Sequence, residues 1–311
     1  MTGKWTADQI PDQRGRTAIV TGANSGLGFV VARELARSGA RVIVASRDTD
    51  KGAKAMGAIK SAHPAANVEV AQLDLASLAS VRAFAERFRA GHNQLDLLIN
   101  NAGIMAAPHR RTADGFELQL GTNHLGHFAL TGLLMPAFNQ RLGTRVATMS
   151  SNLHKGGQID FDDLQGEQHY SRWGAYGQSK LANLLFALEL DRRLKAAGLP
   201  MISVAAHPGY SSTNLQLSGP PLQERIVMRL ANRLFAQPAE MGALPMIYAA
   251  TYPDLPGGSY VGPDGPREAR GYPTLVQPSE RAKDPAAAKR LWEISEQLTG
   301  VKYELLKPAA A

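Results

Sequence analysis

Thr21-Gly22-Ala23-Asn24-Ser25-Gly26-Leu27-Gly28 decides how the rest of the chain is read. It follows a short β-branched run, Thr17-Ala18-Ile19-Val20, and opens residues 27–38, whose apolar spacing predicts a helix ended by Gly39. Strand, glycine turn and helix together are the start of a βαβ unit. At that position glycines let backbone approach a pyrophosphate, and the free N–H groups of the helix start face its charge. Elsewhere such a turn is mostly turn chemistry; here anion binding is the better account.

Outward from this turn the alternation continues. Residues 41–45, 68–73 and 95–99 read as strands, with helices predicted over 50–61 and 78–89. Residues 145–149 and 202–206 are further strands, separated by a long helix in which Leu181, Leu184, Leu185 and Leu188 fall on one face. Alternation with short loops implies parallel strands joined by right-handed crossovers. The expected fold is therefore a single-domain α/β, Rossmann-type doubly wound parallel sheet with helices on both faces. Residues 1–261 form the body that carries the catalytic residues. The Pro-, Gly- and Arg-rich stretch 262–311 reads as an appendage on that same domain, with a helix over 285–298 that docks through Leu291, Ile294 and Leu298.

Composition narrows the chemistry. The 311 residues are 44% hydrophobic and 20% charged, enough for a sizeable core. The net charge of +7 is spread along the chain, and its densest basic stretch, Arg14 to Arg16, is too short for a nucleic-acid arm, so no nucleic-acid partner is expected. With no cysteine, thiolate nucleophiles, disulfides and cysteine-held zinc are excluded. His124, His127 and His154 show no metal-ligand spacing and read as core or surface histidines; no metal is expected. No stretch approaches the roughly 18 apolar residues of a membrane helix, and residues 1–11 lack a secretory signal, so the expected location is cytoplasmic, without membrane insertion.

The turn has the form T-G-x-x-x-G-x-G, and here the chain resembles the short-chain dehydrogenase/reductase family. Asn100-Asn101-Ala102-Gly103 after the fourth strand, Tyr176-Gly177-Gln178-Ser179-Lys180 as a Y-x-x-x-K pair, and His207-Pro208-Gly209 after the sixth strand follow in the family's order. One such motif is weak, but four in register between residues 17 and 213 are strong. Gly121-Thr122-Asn123-His124-Leu125-Gly126-His127-Phe128 is closer to the retinol-dehydrogenase-like and protochlorophyllide-reductase-like branch. The resemblance implies an oxidoreductase that moves a hydride between a nicotinamide cofactor and a carbonyl or alcohol. It also implies a homo-oligomer formed through exposed helix faces.

The end of the second strand, Ala45-Ser46-Arg47, selects the cofactor. A carboxylate there would repel a 2′-phosphate, whereas Arg47 offers a charged fork and Ser46 a hydroxyl, so NADP(H) is expected. The competing account pairs Arg47 with Asp48 or Asp50. By resemblance, Gly22, Asn24, Ser25, Gly26, Leu27 and Gly28 hold the pyrophosphate, Asp74 and Leu75 the adenine, Asn101, Ala102 and Gly103 the middle of the cofactor, and Pro208, Gly209 and Thr213 the nicotinamide. Asp74 is equally at home as a turn or N-cap aspartate.

A carbonyl that accepts hydride builds charge on oxygen and needs a proton donor. Tyr176 and Lys180 stand four apart on one helix and share a face, so an ammonium beside the phenol is expected to lower its pKa from about 10. By resemblance Lys180 also binds the nicotinamide ribose, Ser151 holds the substrate oxygen, and Asn123 anchors a water that links Lys180 to solvent. Of the adjacent Ser150 and Ser151 only one can face the cleft, and Asn123 also suits a helix N-cap. Residues 152–175 are longer than the family connection and either border the substrate mouth or make a surface excursion. Leu215, Leu217, Leu222 and Ile226 could line an apolar pocket, which points to a lipophilic substrate; Met228 and Leu234 suit plain helix core equally well. Reduction of a C=C bond, and a non-catalytic NADP(H) sensor on the same fold, remain the rival functions.

Overall fold

Strand β1 (Thr17–Thr21) is buried along its whole length. A strand covered on both faces requires this, and it explains a continuous apolar run where a half-exposed strand would alternate. The computed structural model describes residues 4–211 and 237–306. Within them β2 (Arg41–Ser46), β3 (Val68–Gln72), β4 (Leu97–Asn100), β5 (Arg145–Met149), β6 (Ile202–Ala206), β7 (Tyr260–Pro263) and β8 (Pro273–Leu275) complete one sheet. Its order is β3-β2-β1-β4-β5-β6-β7-β8. Every neighbouring pair through β7 is parallel; β8 returns antiparallel along β7.

The helices are α1 (Gly26–Arg37), α2 (Thr49–Ala62), α3 (Leu78–Gly91), α4 (Leu118–Leu120), α5 (Gly126–Leu134), α6 (Arg172–Ala196), α7 (Ala239–Thr251), α8 (Glu280–Lys283) and α9 (Pro285–Thr299). A π turn, Gly121–Leu125, joins α4 to α5. Alternate residues of β1 serve opposite faces, as the period of two demands. Ala18 and Val20 pack with Val30, Val31 and Leu35 of α1 and with Met246 and Ile247 of α7. Ile19 packs on the other side with Val81 and Phe84 of α3, Phe128 of α5 and Phe186 of α6. The sheet is thus doubly wound. Strand order reverses between β1 and β4, and a crevice opens there at the carboxyl ends of the strands.

The tail is woven in more deeply than its composition indicated. The boundary drawn at 261/262 runs through β7. In α9 Leu291 is buried, Ile294 and Leu298 are half-buried, and the larger anchor is Trp292, 2% exposed. Its ring stacks on Phe186 at 5.8 Å and meets Phe128 edge-on at 5.1 Å, with the Arg193 guanidinium 4.3 Å above it. Beyond α9 the Tyr303 hydroxyl donates to the Phe128 carbonyl at 2.7 Å. Helix α7 was not foreseen because Pro245 lies inside it. A proline there removes an intrahelical donor and reads as a break.

Candidate active site

The glycine turn is built around one hydroxyl. Thr21 Oγ1 accepts from the Asn101 and Ala102 N–H groups, both at 2.9 Å, and lies 2.9 Å from His127 Nε2. The other ring nitrogen of His127, Nδ1, lies 2.9 Å from the Asn123 carbonyl, which can only accept. His127 therefore carries its proton on Nδ1, and Thr21 donates to Nε2. Burial holds the imidazole neutral, its pKa pushed down to about 4. Of the two readings open from sequence, core or surface, His127 takes the core one, and it also ties the turn after β1 to the π turn that carries Asn123. Spacing gave no signal of this, since the partner at Thr21 is 106 residues away.

Gly22 takes a left-handed φ of 66°, and a Cβ there would stand 3.0 Å from the Ala102 Cα. A Cβ on Gly28 would stand 2.5 Å from Asn101 Nδ2, which donates to the Thr21 carbonyl at 2.8 Å, and 2.6 Å from the Gly22 carbonyl oxygen. These glycines hold the turn flat against β4. Gly26 is also left-handed at 56°, and the Ser25 side chain does not cap α1. The first N–H groups of α1 thus face the crevice without a side-chain acceptor, beside Asn24 and Leu27, both half-buried. A cradle with this close backbone approach and these open donors fits a pyrophosphate.

At the end of β2 the two candidates part. The buried Ser46 hydroxyl donates to the Asp48 carbonyl at 2.8 Å, so its proton is already engaged. Arg47 is exposed and has no ion-pair or hydrogen-bond partner among the described residues. Asp48 instead caps α2 through the Lys51 N–H and pairs with Lys51 Nζ at 3.0 Å. Asp74 makes a turn, accepting from the Ala76 N–H at 3.0 Å, while Ser77 caps α3. The Leu75 carbonyl presses against Gly126, where any Cβ would collide with it.

On the far side of the crevice α6 presents Tyr176 and Lys180, both buried. Lys180 Nζ donates to the Met149 carbonyl at 3.2 Å and lies 5.6 Å from the centre of the Tyr176 ring. Ser150 and Ser151 both line the cavity: the Ser151 hydroxyl accepts from the Leu153 N–H at 3.2 Å, whereas the Ser150 hydroxyl is engaged, donating to the Lys180 carbonyl at 2.9 Å. Asn123, in the π turn, bonds both polar groups of Ile104, at 2.8 and 2.9 Å. It lies beside Gly103, where a Cβ would be 3.1 Å from Asn123 Oδ1 and 3.5 Å from Lys180 Nζ.

One expectation fails for the protein groups alone. Burial pushes the Tyr176 phenol up to about 12, with the Ser151 hydrogen bond pulling the other way. Burial also pulls Lys180 down to about 8. Lys180 Nζ lies 5.6 Å from the ring centre and gives one of its protons to the Met149 carbonyl, and it does not offset the loss of solvent around the phenol.

These groups line one cavity of about 480 Å³, walled by Leu27, Asn101, Gly103, Pro208 and Gly209 toward the glycine turn and by Met105, Met149, Leu153, Trp173 and Tyr210 opposite. Asn152, Leu153 and Trp173 come from the 152–175 segment, so it borders the mouth. The rest of that segment is anchored: Tyr170 donates to the Ala107 carbonyl at 2.8 Å and to Glu117, and Phe161 and Leu164 pack with α6 residues. Thr213, and the apolar candidates Leu215, Leu217, Leu222, Ile226, Met228 and Leu234, lie outside the described residues. The loop between β7 and β8 supplies Arg267 and Ala269 to the wall, which sequence reasoning missed because nothing in 262–272 carries a motif. His207 adds a further link, with Nε2 3.0 Å from Glu268. Among the described residues no helix is long and apolar enough to cross a membrane.

Residues 16–220 match the short chain dehydrogenase family. The chain belongs to that family. Within it the chain sits in the retinol-dehydrogenase-like branch of these oxidoreductases. It is 41% identical to retinol dehydrogenase 12 of Mus musculus, over 95% of this chain and 89% of that protein. With the polyprenol dehydrogenase of Mus musculus it shares 42% identity, over 96% and 88%. The solved structure of an uncharacterised protein from Mycobacterium paratuberculosis is 49% identical and superposes with a TM-score of 0.80, covering 97% of this chain and 99% of that one.

Proposed function

We propose that this short chain dehydrogenase is an NADP(H)-dependent enzyme that interconverts a lipophilic carbonyl compound and its alcohol, with Tyr176 as acid/base. The observation that carries this reading is convergence: Tyr176, Ser151 and Lys180 line the same cavity as Leu27, Asn101 and Gly103 around the glycine turn. The apolar wall of Met105, Met149, Leu153 and Trp173, and relatives named for retinol and polyprenol, support a lipophilic substrate.

The bound nicotinamide supplies or takes the hydride. The turn from Gly22 through Asn24, Ser25, Gly26, Leu27 and Gly28 holds its pyrophosphate and Arg47 its 2′-phosphate. Asp74 and Leu75 border the adenine. Asn101, Ala102, Gly103 and Lys180 hold the ribose side, and Pro208 and Gly209 flank the ring. Ser151 donates to the substrate oxygen and orients it toward the phenol. Tyr176 delivers its proton to that oxygen as charge builds there. Burial favours the protonated phenol, the form that donates in carbonyl reduction. Alcohol oxidation needs the phenolate and gains as pH rises. Lys180, near 8, is charged at pH 7 and stabilises the phenolate left after proton transfer. Asn123 holds the Ile104 backbone beside Lys180.

The test is Tyr176→Phe, with aldehydes and ketones screened against NADPH oxidation. Turnover should fall at least ~100-fold, the usual contribution of a positioned acid, while NADPH affinity stays within a few-fold. Equal turnover in the variant would remove Tyr176 from the mechanism.

A further inference from the structure

Among the described residues, three non-glycine residues take positive φ: Ala106 at 49°, Arg267 at 53° and Glu268 at 55°. Arg267 lines the cavity, and the other two lie next to residues that do. Ala106 packs with Met105 and Tyr176, and Arg267 is part of the wall, with Glu268 next to it. L side chains rarely adopt this backbone, and glycine fills the other left-handed positions. A non-glycine residue kept in such a conformation points to a use for its side chain.

The loop holds Arg267 from several sides. Gly265 N–H donates to the Arg270 carbonyl at 3.0 Å, and Ala269 N–H to the Pro266 carbonyl at 3.1 Å. Asn152 Nδ2 donates to the carbonyls of both Arg267 and Glu268 at 3.2 Å. The Glu268 carboxylate accepts from Lys155 Nζ at 2.9 Å and from His207 Nε2 at 3.0 Å. Every bond that fixes Arg267 is thus made by its backbone or its neighbours. Its own guanidinium is exposed and has no hydrogen-bond or ion-pair partner among the described residues.

No carboxylate lines the cavity among the described residues, and its two permanently cationic or ammonium groups are Lys180 and Arg267. Lys180 is buried deep beside Tyr176 and engaged with Met149, whereas Arg267 stands at the solvent edge. We infer that Arg267 selects substrates that carry a carboxylate at the end remote from the reacting carbon: amphipathic oxo acids or hydroxy acids, apolar in the middle. This rests on the hydride-transfer reading above for the reacting end. A planar guanidinium matches a carboxylate in two parallel hydrogen bonds.

The test compares ω-oxo alkanoic acids of several chain lengths with their methyl esters, which keep the shape and remove the charge. The expected result is a kcat/KM about tenfold higher for the acids, an ordinary value for a charge-assisted contact, falling to parity in Arg267→Gln and largely kept in Arg267→Lys. No preference in the parent protein, or one that survives Arg267→Gln, overturns the proposal. So does a loss of NADPH affinity in Arg267→Gln with the acid-to-ester ratio unchanged, which would assign the guanidinium to the cofactor's phosphates. Thermal shift of the NADP+-loaded protein by the same compounds separates the two readings if none is turned over. Charge-selective stabilisation abolished in Arg267→Gln keeps the carboxylate site and sinks the hydride-transfer reading; its absence sinks the site itself.

Discussion

Arg47→Ala tests the cofactor assignment most directly, because the structure leaves this side chain with nothing else to do. Its neighbouring acid, Asp48, is taken by Lys51 and by the cap of α2, so removing Arg47 breaks no described contact and should not unfold the protein. A charge-assisted hydrogen bond is worth about 1.5–3 kcal/mol where solvent is excluded, or roughly 10- to 150-fold in affinity. Arg47 is exposed, so the low end applies, about tenfold. Dissociation constants for NADPH and NADH from cofactor fluorescence should show the NADPH value rising about tenfold in the variant and the NADH value unmoved. Because the contact is at the surface, the parent preference should also shrink as salt rises. Ser46→Ala makes the control: its hydroxyl already donates to the Asp48 carbonyl, so the NADPH to NADH ratio should stay where it is. The reasoning is refuted if the parent protein binds both cofactors equally, or if Arg47→Ala weakens both alike.

Two further outcomes follow from burial. Lys180 has a folded pKa near 8 against an ordinary 10.5, so between those values the unfolded chain binds more protons and stability rises with pH. Denaturant unfolding of the cofactor-free protein should therefore show its stability gaining on that of Lys180→Met by about 2–3 kcal/mol from pH 8 to 10.5, with no trend below pH 7; a flat difference would mean that the amine is solvated. Trp292→Ala should cost about 3–5 kcal/mol, read as a lower denaturant midpoint at unchanged slope, because the ring fills the space between α5, α6 and α9. A loss below 1 kcal/mol would show that the tail is only an appendage.

Much of this molecule is legible in its residues because its signals are local. The β1 to α1 turn, the fully apolar strands and the stripe of Leu181, Leu184 and Leu185 each state their structure within a dozen residues. The pair Tyr176 and Lys180 is legible for the same reason, since four positions on a helix fix a face. What stayed hidden depends on contacts across the sheet. Helix α7 is masked by Pro245, and strands β7 and β8 are short and set among Pro and Gly. Glu268 meets His207 and Lys155 only because β6, β7 and the segment after β5 end side by side. The direction of the Tyr176 shift was hidden too: sequence gives the neighbouring ammonium, but the extent of burial that outweighs it is a property of the packed fold.

The bonds gathered at Thr21 have a kinetic consequence. One hydroxyl joins the amides of Asn101 and Ala102 to the His127 ring, and that ring joins the Asn123 carbonyl. The glycine turn and the π turn that carries Asn123 are therefore fastened at a single knot. Loss of the hydroxyl in Thr21→Val would leave both amides without this acceptor, so their deuterium uptake should quicken in that variant.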